Sequence, residues 1–555
     1  MSPDQRHGEG LSLLRAGRLQ EAVSAFNDVL RQAPLSVPAR MGLAEACLRS
    51  NDGWTAAAWL SDACRVAPQD VGVWLELIGL LARQDRNSEL ASVLESAAAL
   101  HPGVPQFLQP LAEHHLRCGN HARAVDLYRR LAALNADSSS TQLHLGFALE
   151  HIGELDEAIA HYRRALALNP ELVEAHVDLA GVLWRVCDFD GALHHAQRAV
   201  ALAPDSAYAQ RILGTALLHL NRLAPSETQL RQAIELRPDL FMARFDLALL
   251  LLLSGRLEEG WAAYAQRWGE AGALPRPGFY QAEREWQGPA LQALTGRRIL
   301  VYAEQGMGDV IQFVRYVRLL QSDGATVYCA VPTPLISLIE SMPGVQCVKP
   351  GLDGRIDYHV ALLDLPGHYG TTLDTVPADV PYLWADAGRS DRWRERLRPW
   401  DGQFKIGIAW AGQPAQVNDR NRSMPLSEFA PLLALQGVQC FSLQKTASGR
   451  FTDITVDPEA LVDFTAEWQD FADSAAMIGN LDLVISVDSA AAHLAGALGR
   501  PVWTVLAPNA DWRWLLARED SVWYPTMRLF RRDFSETRSA QMQRVVQAVA
   551  QRLGA

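Results

Sequence analysis

Prolines recur at Pro34, Pro68, Pro102, Pro170, Pro204 and Pro238, every gap 34 residues or a multiple of it, and Ala136 stands at the one missing place. A fixed step of this length commits a chain to an array of like units, because each unit can bury its apolar face only against its neighbours. Other columns keep the step. Gly10, Ala44, Ile78, Ala112, Gly146, Ala180, Gly214 and Ala248 form one, and Ala22, Ala56, Leu90, Ala124, Ala158, Ala192, Ser226 and Gly260 another. Phe26, Leu60, Leu94, Tyr128, Tyr162, Ala196, Leu230 and Tyr264 carry bulk. Small residues let two helices of a hairpin cross closely, large ones fill the space between hairpins, and proline after the second helix stops it.

The pattern resembles the tetratricopeptide repeat. Gly153 to Pro170 lies nearest to that consensus and the third repeat farthest from it. About seven full repeats and a partial eighth are expected over residues 1–268. The resemblance implies a right-handed superhelix whose concave groove takes a peptide or partner protein; a spacer or oligomerisation arm is the other use. His114, His115, His194 and His195 show no ligand spacing, so solvated or packed histidines are expected there.

A chain of 555 residues has room for several domains. Its net charge of −12 argues against a nucleic-acid binder, which would carry a basic face. Seven scattered cysteines form no CxxC pair or zinc spacing and read as free thiols. The N-terminus lacks the apolar core of a signal peptide. The run Leu247–Leu253 is too short to span a bilayer. A cytoplasmic protein without a transmembrane segment is expected.

Residues 269–296, with Pro275-Arg-Pro-Gly278, read as a linker. Apolar runs then alternate with helical segments, which implies parallel sheets covered by helices. The runs start at Arg298, Ala325, Val345 and Tyr358, and again at Phe404, Val438, Leu483 and Val502. Two Rossmann-like lobes are expected, 297–398 and 399–555, for an overall α + α/β chain. In the second lobe a strand ends at Val487, Asp488-Ser489 follow, and a small-residue helix opens at Ala490. Free N–H groups and the helix dipole favour an anion there. Gly306-Met-Gly308 lacks the third glycine of a dinucleotide fingerprint, and Asp309 on its own reads as a helix cap.

Three stretches, Glu304–Phe313, Asn418–Leu426 and Val487–Val502, resemble glycosyltransferase family 9, the group of the lipopolysaccharide heptosyltransferases. Asp511-Trp-Arg-Trp514 followed by Trp523-Tyr-Pro525 resembles the subgroup fused to tetratricopeptide repeats. The resemblance implies a GT-B fold, a nucleotide-diphospho-sugar donor and inversion at the anomeric carbon, with Asp309 as general base. It places Gly306, Gly308, Gly412, Arg420, Arg422, Gln444, Lys445, Asp488, Ser489, Ala490 and His493 at the donor. Either arginine could neutralise the leaving diphosphate. Ala490 stands where heptosyltransferases carry glycine, a departure that argues against a heptose donor. No Asp-x-Asp motif is present in the two lobes, so neither metal nor cofactor is expected. Trp503, Trp512, Trp514 and Trp523 are candidates to stack on a base or sugar, with core packing favoured for Trp503. The terminal segment, 540–553, reads as an amphipathic helix, and the resemblance implies its return to the first lobe, as such a helix often does in GT-B proteins.

Three functions fit. One is a transferase acting on a protein recruited by the repeats. Another is a transferase for lipopolysaccharide or another cell-surface glycan, using the repeats to join an assembly. The third is a non-catalytic scaffold.

Overall fold

The computed structural model describes residues 1–268, 274–289, 292–348, 356–414, 416–445 and 452–554. Parts of the expected linker, 269–273 and 290–291, and Lys349 at the end of an expected strand lie outside these residues.

The first 264 residues form sixteen helices in eight antiparallel pairs, from Pro3–Arg15 with Leu19–Gln32 to Phe241–Leu253 with Leu257–Tyr264. Every first helix has 13 residues and every second helix 14, until the last shortens to eight. The third pair, weakest in sequence, keeps both lengths at Val71–Arg83 and Asn87–Leu100. The turn inside each pair carries one left-handed residue, again at a step of 34: Gly17, Asn51, Asp85, Gly119, Gly153, Cys187, Asn221 and Gly255. Glycine takes that conformation without strain, and asparagine or aspartate at small cost. The small and bulky columns meet as their sizes require. A Cβ on Gly10 would fall 2.6 Å from the Phe26 ring, and one on Gly146 would fall 2.8 Å from Tyr162.

The chain forms two compact units, Met1–Val182 and Leu183–Ala555. The repeat period runs to Trp268, but the packing divides earlier, inside the helix Val173–Arg185. The reason lies at the far end of the repeats. Trp261 is buried and donates its indole N–H to the Thr371 carbonyl at 3.0 Å. Its ring meets Trp512 edge-on at 5.3 Å. The last repeats therefore share one core with the α/β region.

That region holds two parallel sheets. The first contains β1 (Arg298–Tyr302), β2 (Thr326–Ala330), β3 (Gln346–Cys347) and β4 (Tyr358–Ala361), in spatial order β3-β2-β1-β4. The second contains β5 (Phe404–Ala409), β6 (Val438–Ser442), β7 (Leu461–Val462), β8 (Leu483–Val487), β9 (Val502–Leu506) and β10 (Met527–Arg531). Its order is β10-β9-β8-β5-β6-β7. Both reverse direction beside their first strand, between β1 and β4 and between β5 and β8. Such reversals open a crevice at the strands' carboxyl ends. Alternate residues of the central strands feed two cores. Leu483, Ile485 and Val487 join one layer, and Val484 joins the other.

Two connections depart from expectation. The terminal helix, Arg538–Gly554, does not return to the first sheet; Met542, Val545 and Val549 cover the second, against Ile406, Cys440 and Phe429. The helix Ala387–Leu397, counted with the first lobe, also packs there. Its Arg389 pairs with Asp470 and with Asp473 at 3.2 Å, at the start of the helix Phe471–Ile478. The terminal helix thus covers a sheet layer that would otherwise meet water, and the helix Ala387–Leu397 rests on the helix Phe471–Ile478.

Candidate functional site

The first crevice is filled by the protein itself. Glu304 follows β1 and Asp364 follows β4, and the Arg267 guanidinium, from the end of the repeats, lies between them. It donates to Glu304 at 2.6 Å and to Asp364 at 2.5 Å. Its side chain is fully buried. Burial raises Glu304 to about 7, with Asp364 adding repulsion and Arg267 opposing the rise.

The second crevice is built differently. Ser489 caps the helix Ala490–Ala497, accepting from the Ala491 N–H at 3.3 Å. Its hydroxyl also meets that of Ser486 at 2.8 Å. Arg422 reaches over from the loop after β5 and donates to the Asp488 carbonyl at 3.2 Å. A Cβ on Gly412 would sit 2.3 Å from the Arg422 guanidinium, so the arginine occupies space that only glycine leaves. Burial lifts the Asp488 carboxyl to about 6; Asp511 adds repulsion, and Arg422 and Arg513 pull it down.

Against this crevice stands the N-terminus of the helix Met307–Phe313, which follows β1. Gly308 faces it: a Cβ there would lie 3.0 Å from the His493 ring and 3.7 Å from the Ala490 Cα. Asp309 accepts the Gly306 N–H at 2.9 Å and the Arg513 guanidinium on its other oxygen. Arg513 also donates to Asp511 at 2.8 Å and to the Gln312 side chain at 2.8 Å. Burial raises the Asp309 pKa, Arg513 pulls it down and Asp511 pushes it up again. Tyr264, the last residue of the repeat helices, accepts from the Gln305 amide.

His493 is 4% exposed. It stacks on Trp514 at 5.3 Å and 24°, and its Nδ1 meets the Tyr524 hydroxyl at 2.9 Å. Burial and the charges of Arg513, Arg315 and Arg422 hold its pKa well below the usual histidine range, so the ring is neutral. Its Nε2 lies 3.9 Å from Asp488.

The structure thus brings Gly306, Gly308, Asp309, Gly412, Arg422, Asp488, Ser489, Ala490 and His493 into one neighbourhood. Gln444 lies beside it, accepting from the Ala411 N–H at 3.1 Å. Lys445 is directed to the Trp468 carbonyl. Arg420 is separated from the group: its carbonyl accepts from Arg538 at 2.9 Å, and its charge acts on Cys187 in the repeats alongside Arg538 and Arg532. These tryptophans pack within the fold, Trp503 tilted against Phe530 and Trp512 beside Phe313 and Trp523.

The sequence assigns no site role to Asp511, Arg513 or Tyr524, and Tyr264 stands only in the bulky column of the repeats. The signal was present in Asp511-Trp-Arg-Trp514, a polar pair between tryptophans, but nothing in its spacing showed that Arg513 meets a carboxylate 204 positions earlier.

Among known families, a tetratricopeptide repeat model matches residues 7–71 and 177–227, and a second TPR repeat model matches 151–186. The glycosyltransferase family 9 (heptosyltransferase) model matches 469–537, which includes Asp488, His493, Asp511, Arg513 and Tyr524. The chain carries tetratricopeptide repeats and a segment similar to glycosyltransferase family 9. Protein FlbA of Caulobacter vibrioides is 28% identical over 326 residues, covering 52% of each chain. This chain therefore spans about half the length of that curated relative. Similar solved structures include YrrB, a TPR protein with an unusual peptide-binding site, at 17% identity, covering 33% of this chain and 95% of that one, with a TM-score of 0.30. Another is TTC0263, a thermophilic TPR protein of Thermus thermophilus, at 23% identity, 32% and 97% coverage and a TM-score of 0.27. Scores this low carry no argument. No helix among the described residues is long and apolar enough to cross a membrane.

Proposed function

We propose that the chain is an inverting, metal-independent GT-B glycosyltransferase that moves a sugar from a nucleotide-diphospho-sugar to a hydroxyl on a protein recruited by the repeats. The observation that carries this reading is the meeting of two helix N-termini from two sheets, with Asp309 on one and Asp488, Ser489 and the Arg422 guanidinium at the other.

The chemistry follows from charge. The donor diphosphate lies at the Ala490 helix N-terminus, where the positive end of the helix dipole and Arg422 face it. Asp309 takes the proton of the acceptor hydroxyl as its oxygen attacks the anomeric carbon from the face opposite the phosphate. The carbon–oxygen bond to the β-phosphate breaks, and the nucleoside diphosphate leaves with the bonding pair. Arg422 and the helix dipole stabilise that developing charge. A carboxyl whose pKa burial has raised, as at Asp309, is a stronger base than an exposed one. His493 is buried and neutral and supports the turn that carries Asp488.

The test is the mass added to cellular proteins when the chain is present, compared with its absence. A sugar increment on a protein is expected. An increment found only on lipopolysaccharide or another glycan would overturn the protein acceptor.

A further inference from the structure

The short helix Asp419–Arg422 sends three successive side chains to three places. Arg422 goes to Asp488 and Gly412, and Arg420 to the neighbourhood of Cys187. Between them, Asn421 is 4% exposed and donates its amide to the Asn509 side-chain oxygen. Asn509 in turn donates its own amide to Nδ1 of His219 at 3.2 Å. His219 ends the repeat helix Ala207–His219 and stacks flat on Trp184, 4.1 Å away at 13°. Two residues on, Asn221 occupies a left-handed turn and donates to the Pro508 carbonyl at 3.0 Å. The segment after β9 is thus fixed from the repeats at two successive residues, Pro508 and Asn509.

We propose that His219 is a positioning residue that sets Arg422 at the donor crevice, acting through Asn509 and Asn421. The proposal rests on the donor reading above. The link is directional. Asn509 can donate to His219 only while Nδ1 is bare, and burial pulls that imidazole down to about 4, so it stays neutral at ordinary pH. The amides in the chain are buried, so breaking one link strands a polar group, and the Asn418–Ser423 loop relaxes to recover it. The repeats then shape the donor site as well as any acceptor path.

Two substitutions separate this hydrogen bond from packing. His219→Phe keeps a ring on Trp184 and removes the acceptor. His219→Asn gives up the ring and keeps an acceptor oxygen at the Nδ1 position for Asn509. In the full chain, hydrogen–deuterium exchange over residues 418–424 is expected to rise in His219→Phe and to match wild type in His219→Asn. Calorimetry with UDP, GDP, CDP and ADP, each alone, should show the bound nucleotide weakened about 3- to 10-fold by His219→Phe, within the range of one lost hydrogen bond. His219→Asn should bind as wild type does. Unchanged exchange in His219→Phe, or equal loosening in both variants, would overturn the proposal. Exchange that follows the expected pattern while wild type binds no nucleotide would support the coupling and overturn the donor reading alone.

Discussion

The two sheets share a strand order around their first strands, and each opens a crevice where the order reverses. They use it in opposite ways. Between β1 and β4 the crevice is closed by Arg267, held by Glu304 and Asp364 with no side-chain surface left to water. Between β5 and β8 it presents a capped helix N-terminus, a partly exposed Arg422 and an Asp488 carboxyl with a raised pKa. An arginine stands at both. One is a strut between two buried carboxylates. The other is partly exposed, pairs with the single carboxylate of Asp419 at 3.5 Å and donates to backbone carbonyls, and its exposed edge can take an anion. Topology offers the position, and the residues around it decide between structure and ligand.

The most severe change should come from removing the strut with everything that carries it. Deleting residues 1–268 takes away Trp261, Tyr264 and Arg267 and should abolish soluble, nucleotide-binding protein. Deleting 1–170 leaves the second unit whole and should spare both. Equal behaviour of the two truncations, by light scattering and nucleotide titration, would break the claim that the last repeats belong to the α/β core. Next is Arg267→Met, which leaves two carboxylates facing each other in a buried site. Denaturant unfolding should show a loss of about 3–5 kcal/mol, with nucleotide affinity of the folded protein unchanged. Weakened affinity without lost stability would make Arg267 a ligand group instead. Arg422→Gln should do the reverse: a charge-assisted hydrogen bond of about 1.5–3 kcal/mol is lost from the complex, roughly 10- to 100-fold in Kd, at little cost in Tm. The mildest change is in pH dependence. Asp488 titrates near 6 folded and near about 4 unfolded. Between those values the folded state holds a proton that the unfolded state has released, so stability falls as pH rises through the window and stays lower above it. Asp488→Asn should flatten that slope and raise Tm at about pH 7.5. A slope that survives the substitution would assign the titration elsewhere.

Much of this fold is legible in the sequence because periodic burial leaves periodic residues. The 34-residue columns exist since each hairpin packs in the same way, as Gly10 does on Phe26 and, four periods later, Gly146 on Tyr162. β8 is legible as an apolar run because both faces of the strand are covered. What the sequence hides is direction and distance. Arg420 and Arg422 look equivalent in a basic loop, yet two positions along a helix lie roughly 200° apart around its axis, and only Arg422 reaches Asp488. Trp268 ends the repeat pattern, but the compact unit begins at Leu183, because period records how hairpins stack and not what their last members rest on. The terminal helix is amphipathic by sequence, and amphipathicity does not name the sheet it covers. Asn421, Asn509 and His219 carry no motif at all; their link exists only in the folded chain.

On this reading two sheets contribute to one donor site, with Asp309 from the first acting on a ligand held by the second. The decisive experiment is release of nucleoside diphosphate from a panel of nucleotide sugars, compared between wild type and Asp309→Ala. Wild type should turn over at least one donor, and Asp309→Ala should bind the same nucleotide but release product about 10²- to 10⁴-fold more slowly. Equal turnover by the two proteins would contradict a catalytic role for Asp309 and with it the two-sheet site.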